Sequence, residues 1–488
     1  MGMSSGVRPF DGRTARVLDS SDLDKVHDTS LRVLEEVGVD FLDEEALKIF
    51  RASTGTTVEG SRVRFSRQIV EWAVNHAPSK FVLRARNPSY DICLGDGRVY
   101  YTSGFGATFV CDVEQRSYRK AVLDDVTDYV IIADKLENVH FVLTPFIPQD
   151  VAVEIAEIYV AAQMFICTEK HIAIGTPTSD YLDEIWEMGQ LVSETTSVEG
   201  PLYSLGCTIN SPLVYSDEML PKVLHAAKRS IPLRLVSGLL AGAVAPVTLA
   251  GALALQNAEI LAGVTLCQLA NTGCPVIYGT FSGGMDMRTG KWGAAGPEMS
   301  LLISASAQLC KMYDIPLGYG TGGISDSRVP DVRAGFEKGM TNLSAALAGV
   351  EVIHDGVSGL LGGAMAISLE QFIIDNEIAK WVNHLVRGIP VNSDTLAFDV
   401  IKSVGPGGHF LEQEHTVRRF KEEHLIAPLM SREYELEWPA SEDESMLSEC
   451  RSRVHEILSG HRAPELDQNV KQGMQTILER IGGEREIV

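Results

Sequence analysis

The chain has 488 residues, is 45% hydrophobic and 22% charged, and carries a formal net charge of −23. That size and composition allow a large buried core, as one extended α/β domain or as several smaller units. The acidic balance, without a concentrated run of Lys and Arg, excludes a general nucleic-acid binder and suits a cytoplasmic protein.

Residues 1–97 read as a mainly helical N-terminal extension. The stretches "SDLDKVHDTSLRVLEEVGV" and "SRQIVEWAVNHA" have helical spacing, and "KFVLRARNP" reads as a short β element. The first residues lack the apolar core of a secretory signal.

From residue 98 a short apolar run alternates with a helix-length segment. The runs are "RVYYTSG" (98–104), "VHFVLTP" (139–145), "HIAIGTP" (171–177), "LYSLGCT" (202–208), "PLRLVSG" (232–238), "PVIYGTF" (275–281), "PLGYGTG" (316–322) and "EVIHDG" (351–356). Continuous apolar runs of this length describe strands covered on both faces. The segments between them carry helix signals: acidic residues opening "LDDVTDYVIIADKLEN", Pro297 and Glu298 at a start, and Arg387-Gly388 at an end. Eight strand–helix units in a row predict an α/β (β/α)8 TIM barrel over 98–388, with a doubly wound open sheet as the alternative. "FVCDVEQRSYRK" (109–120) is expected to form a hairpin inserted in the first unit. The charge-free run "LVSGLLAGAVAPVTLAGALALQNA" (235–258) is long enough to cross a membrane. Its Ala and Gly content, Pro246 and place in the repeat predict a buried strand and helix instead, with no membrane association. Residues 389–488 form a mainly helical C-terminal extension, including "EQEHTVRRFKEEH" and "ECRSRVHEILSGH" around the polar "WPASEDESM". Two such extensions on a barrel predict a homo-oligomer. The eight cysteines contain no C-x-x-C pair and are expected to be reduced.

In a barrel the working groups stand at the C-terminal ends of the strands. Those positions offer Tyr101, Phe105, Phe281 and Tyr319, together with hydroxyls and small residues. No lysine ends a strand, no H-x-H pair or clustered His/Cys/Asp set suggests a metal, and no G-x-S-x-G elbow is present. Ring faces without strong acid/base groups suit a small cation, although each ring is individually compatible with simple packing. His354 reads equally as a substrate anchor or base and as a core histidine. Arg288, Arg328 and Arg333 read as carboxylate clamps or as loop salt bridges. Asp286 and Arg288 lie in a long glycine-rich loop, a frequent place for function. "GYGTGG" satisfies G-x-G-x-x-G, but "ISDSRVPD" intervenes before the next helix, so a nucleotide cradle is not expected.

"YGTFSGGMDMRTGKWGAAGPE" and "GYGTGGISDSRVPDVRAGFEKGM", with the N-terminal "LEEVGVDFLDEEALKIF", resemble the trimethylamine methyltransferase family. The resemblance implies a TIM barrel that moves a methyl group from a methylamine or quaternary amine to Co(I) of a corrinoid. The corrinoid (cobalamin) belongs to a separate partner protein, and this chain lacks the D-x-H-x-x-G cobalt-ligand motif, so no permanently bound cofactor is implied. The founding members carry pyrrolysine. Here ordinary residues occupy that region, with one of Gly322, Gly323 or Gly335 expected at that position, so the chain resembles the non-pyrrolysine branch, which includes glycine betaine:corrinoid methyltransferases. Gly322 and Gly323 are then expected to leave space for a larger ammonium substrate. A quaternary ammonium leaves as a neutral amine and Co(I) is itself the nucleophile, which accounts for a site poor in acid/base groups. Two alternatives remain: a catalytically inactive betaine-binding barrel, and a barrel lyase or isomerase using His354 and Asp355.

Overall fold

The structure is a computed structural model that describes residues 16–175, 179–196, 198–430 and 446–482; the side chain of Tyr319 also lies outside the description. Eight parallel strands form one sheet: β1 (Tyr100–Tyr101), β2 (Phe141–Leu143), β3 (His171–Ile174), β4 (Tyr203–Thr208), β5 (Leu233–Ser237), β6 (Val276–Thr280), β7 (Leu317–Thr321) and β8 (Val352–His354). Each falls within one of the eight apolar runs. Neighbours pair in chain order, β8 pairs with β1, and a bridge from Thr102 to Phe141 joins β1 to β2. The sheet is therefore a (β/α)8 barrel, not the open alternative.

The connecting helices are α1 (Leu123–Lys135), α2 (Ala156–Cys167), α3 (Leu182–Thr196), α4 (Leu220–Arg229), α5 (Leu249–Ala270), α6 (Pro297–Tyr313), α7 (Val332–Ala348) and α8 (Leu369–Val386). Local chemistry sets their ends. The Asp125 carboxylate accepts from the Val122 N–H ahead of α1. Asp331 and Ser368 cap α7 and α8 by accepting from Ala334 N and Gln371 N, and Gly349 ends α7 in the left-handed region. The charge-free run resolves into most of β5 and the first half of α5. Long and apolar enough for a membrane, α5 instead has 78% of its most apolar window buried in the fold.

Two inserted hairpins finish the barrel. The expected one, Phe109–Asp112 with Ser117–Lys120, is present at the mouth. The other, Phe81–Leu83 with Ile92–Leu94, closes the bottom: Leu83, Ile92 and Leu94 are buried together with the inward residues Tyr100, Phe141, Leu143, Ala173, Ile277 and Val352. The floor is thus a packed apolar plug, and access is from the C-terminal end. The N-terminal extension is less helical than its sequence suggests. Besides helices Ser20–Arg32, Glu44–Ala52 and Arg67–His76, it contributes strands Val39–Phe41, Thr56–Glu59 and Arg62–Phe65 to a second sheet that pairs with Val214–Tyr215. The C-terminal extension includes helices Phe398–Val404, Glu414–Glu423, Met446–Gly460 and Gln468–Arg480. Nearly all of "WPASEDESM" lies outside the described residues.

Candidate active site

At the C-terminal end of the barrel, the loops after β1 and β2, the ends of β3, β4 and β5, and the start of α2 enclose a cavity of about 330 Å³. Phe105, Phe146, Ile147, Val153, Val160, Met219 and Val236 make its walls apolar, while Arg234 and Glu157 are its charged lining residues. This is the composition of a small-molecule site, apolar walls with a few placed polar groups.

Depth follows from strand register. Gly206 and Arg234 are paired across β4 and β5, and Thr208 and Val236 stand one pleat nearer the mouth. Arg234 is 2% exposed, and a β-carbon placed on Gly206 would stand 3.1 Å from its Nη2, so the glycine leaves the guanidinium its room. Glu157, second residue of α2, lines the cavity, and its charge offsets part of the burial that lowers the Lys222 ammonium.

Burial lowers the pKa of both histidines inside the barrel, and the Arg234 charge adds a smaller push in the same direction. His171 at the start of β3 donates from Nδ1 to the Arg84 carbonyl at 2.6 Å, and its Nε2 meets the Ser204 hydroxyl at 3.1 Å; burial pushes its pKa down to about 4, with Arg234 acting in the same direction. His354 ends β8 with Nδ1 at 2.8 Å from the Asp355 carboxylate. Burial lowers its pKa, Asp355 works against that shift, and Arg234 adds to it. Asp355 itself has a left-handed backbone (φ 58°), fixed by its N–H donating to Thr102 Oγ1 at 2.9 Å.

Buried polar networks hold the surrounding loops. Glu259 of α5 accepts from Ser237 Oγ at 2.6 Å, Ser211 Oγ at 2.9 Å and Leu213 N at 2.8 Å, tying the end of β5 to the loop after β4. Lys338 of α7 and Asp375 of α8, both fully buried, pair at 2.6 Å. Lys338 also donates to the Gly323 carbonyl at 2.6 Å, and Asp375 accepts from Gly359 N at 2.7 Å, which clamps the ends of β7 and β8 together.

The sequence candidates scatter. Phe105 lines the cavity, and its ring meets His354 edge to face at 6.2 Å. Tyr101 is fully buried in the layer between barrel and helices, where its ring stacks near His140 and crowds Gly356. Phe281 lies over Gly238 and against Trp292 at the start of the β6 loop. Asp286 and Arg288 face each other farther out on that loop, with the arginine side chain 90% exposed. Arg328 is exposed on the loop after β7, and its carbonyl accepts from the Tyr118 hydroxyl; Arg333 pairs with Glu337 on the surface. Tyr319 is in β7, but its side chain lies outside the described residues.

The expectation that Gly322 and Gly323 leave room for substrate is corrected by the packing. A β-carbon on Gly322 would stand 2.5 Å from Ile353 Cγ2, and one on Gly323 would stand 1.7 Å from the Asp355 carbonyl oxygen. The chain itself fills that space. The other glycines of the motif behave alike, Gly318 under Ile277 and Gly320 against Val350 and Ile303.

Arg234, Glu157 and His171 were not among the sequence candidates. One signal for Arg234 was available: a charge in the middle of "PLRLVSG" must sit inside a barrel or among helices, where it is costly unless used.

The family model described as trimethylamine methyltransferase (MTTB) matches residues 7–484. The chain is 35% identical over 472 residues to a glycine betaine methyltransferase of Desulfitobacterium hafniense (strain Y51), covering 96% of this chain and 97% of that protein. It is 30% identical over 481 residues to the trimethylamine methyltransferase MttB of Desulfitobacterium hafniense (strain DSM 10664 / DCB-2), covering 98% and 96%. Among solved structures, the Methanosarcina barkeri monomethylamine methyltransferase (MtmB) superposes with a TM-score of 0.51 at 12% identity, over 92% of this chain and 90% of that one, a likeness of fold.

Proposed function

We propose, from the premise that this chain belongs to the trimethylamine methyltransferase family, that it moves a methyl group from a quaternary amine to the Co(I) corrinoid of a partner protein. Glycine betaine or a related betaine is the donor. In the step, the C–N bond breaks with its electron pair remaining on nitrogen as a neutral tertiary amine, while Co(I) supplies the pair for the new bond to the methyl carbon. No proton moves, so the chain's own work is to bind, orient and exclude water.

The observation that carries this reading is the cavity at the C-terminal end of the barrel, with aromatic and aliphatic walls that include Phe105 and Phe146. Rings and apolar walls hold a poorly hydrated ammonium, each good ring contact contributing about 0.5–2 kcal/mol. The assay is glycine betaine with Co(I) cobalamin or a reduced corrinoid protein, following methylcobalamin absorbance and dimethylglycine release. No methyl transfer from any quaternary amine would overturn the proposal. Tight betaine binding alone would instead assign a catalytically inactive betaine-binding barrel.

One observation favours a second reading. His354 Nδ1 faces the Asp355 carboxylate at 2.8 Å in a buried setting, an orientation that suits a general base, and a lyase or isomerase could use it. Exchange of solvent deuterium into a substrate without methyl transfer would select that reading. We also propose a cytoplasmic homo-oligomer in which a second copy covers the exposed apolar side chains of the C-terminal extension, Ile389, Phe398, Leu411 and Val417 among them. Light scattering at the monomer mass would refute it.

A further inference from the structure

The cavity combines a buried cation with mainly apolar walls. Arg234 stands low in the cavity, enclosed between β4 and β5 opposite Gly206, while Glu157, on the first turn of α2, lines the cavity and faces the buried Lys222 ammonium. Val236 stands one pleat, roughly 7 Å, farther along β5 toward the mouth, and Phe105 and Phe146 add ring walls. An isolated ammonium gains nothing from a guanidinium beneath it and is repelled by it, whereas a zwitterion sets its carboxylate against the guanidinium and its ammonium against the ring walls.

We propose that Arg234 is a specificity-determining residue that takes the carboxylate of the donor, so that the site accepts carboxylate-bearing quaternary amines and holds them with the N-methyl groups toward the mouth. This inference rests on the methyl-donor reading above and deepens it by fixing the substrate's direction and chemical class. Arginine suits the task because its planar fork meets both oxygens of a carboxylate at once, and because it stays charged when buried. Gly206 suits it because any side chain there would crowd the guanidinium from the facing strand. The arrangement also explains why the exposed arginines Arg288 and Arg328 are not needed for this purpose. Their side chains stand out on loops, whereas the floor position is enclosed and dry, where a charge pair is strongest. With the carboxylate seated, the ammonium lies against the ring walls away from Arg234, and its methyl groups face the open end of the barrel, the side from which an acceptor arrives.

The test separates the two ends of the substrate, using the full-length protein and calorimetry or competition against glycine betaine. 3,3-Dimethylbutanoate keeps the carboxylate and shape of glycine betaine but replaces nitrogen with carbon; 3,3-dimethylbutanol lacks both charges; tetramethylammonium keeps only the cation. The wild-type protein is expected to bind the acid on the order of 100-fold more tightly than the alcohol. Arg234→Leu should remove that preference while leaving tetramethylammonium within about threefold or improving it, and Arg234→Lys should retain part of it. Equal binding of acid and alcohol by the wild type overturns the proposal without any variant being needed. So does a parallel loss of acid and cation in a folded Arg234→Lys protein, which would mark a structural role. Arg234-dependent binding of the acid with no methyl transfer from betaine to cobalt leaves the anchor standing and overturns the methyltransferase reading alone.

Discussion

The ring of Phe105 occupies the place where a side chain on Gly175 would begin: a β-carbon there would stand 2.2 Å from Cε2 and 2.7 Å from Cζ. The glycine at the end of β3 therefore sets the position of an aromatic wall contributed by the loop after β1. Gly175→Ala must displace that ring, into the cavity or away from His354. We expect betaine affinity to fall about tenfold, with a stability cost of about 1–3 kcal/mol. Unchanged affinity by calorimetry would show that Phe105 does not shape the bound substrate.

Removing the ring itself makes the complementary case. Phe105→Leu keeps apolar volume but discards the ring face, so tetramethylammonium and betaine should both weaken by about 3- to 30-fold. A neutral isostere such as 3,3-dimethylbutanol should lose much less. Equal loss for cation and isostere would reduce Phe105 to simple packing.

Gly323 leads to a different expectation, one about folding. Because a β-carbon there would meet the Asp355 carbonyl oxygen at 1.7 Å, Gly323→Ala must separate β7 from β8 at the point where Lys338 clamps them. The variant should accumulate poorly or melt several degrees lower, with any soluble fraction binding betaine normally. A variant of wild-type stability that fails to bind betaine would return Gly323 to the substrate site.

Those two glycines show where the sequence was legible and where it was not. The eight apolar runs located every barrel strand, because a strand covered on both faces must be continuously apolar whatever surrounds it. Arg387-Gly388 and Pro297-Glu298 marked helix ends for equally local reasons. The rims were another matter. Tyr101 ends β1 and Phe105 stands four residues later in the loop after it; one ring turns to the helix layer and the other into the cavity. That difference depends on where the chain leaves the strand and on Gly175, seventy positions away in the chain. Arg234 was hidden by the assumption that working groups stand only at strand ends, whereas a cavity that reaches down the barrel recruits side chains from within a strand. The second sheet of the N-terminal extension was also illegible, since its strands are short and one partner is Val214–Tyr215 in the barrel's own β4 to α4 connection.

The buried pair Lys338–Asp375 supports the mouth from below. Lys338→Met leaves the Asp375 carboxylate buried without its cation and should cost about 3–5 kcal/mol in urea unfolding. The double variant Lys338→Met/Asp375→Asn should recover part of that loss, because the amide oxygen still accepts from Gly359 N where the carboxylate did. A double variant no more stable than Lys338→Met would mean that the charge pair contributes nothing specific beyond each side chain alone.

The neutral histidine at the start of β3 gives the fold a pH dependence of defined sign. Burial holds the folded-state pKa of His171 at about 4, below its ordinary value of 6.5. Between those values the unfolded chain binds a proton that the folded one does not, so stability is present above about pH 6.5 and is lost as pH falls toward 4. At pH 5 the loss from this residue amounts to about 2 kcal/mol relative to pH 7. His171→Gln, which cannot titrate, removes the penalty: its unfolding free energy should be lower than wild type at pH 7 but fall less steeply between pH 7 and pH 5. Parallel curves for the two proteins would place the acid sensitivity elsewhere. Arg234 enters the same balance, because its charge helps to keep the imidazole neutral. In Arg234→Leu the folded-state pKa of His171 should rise, and the slope between pH 7 and pH 5 should become shallower than in the wild type, a change that NMR titration of the imidazole would read directly.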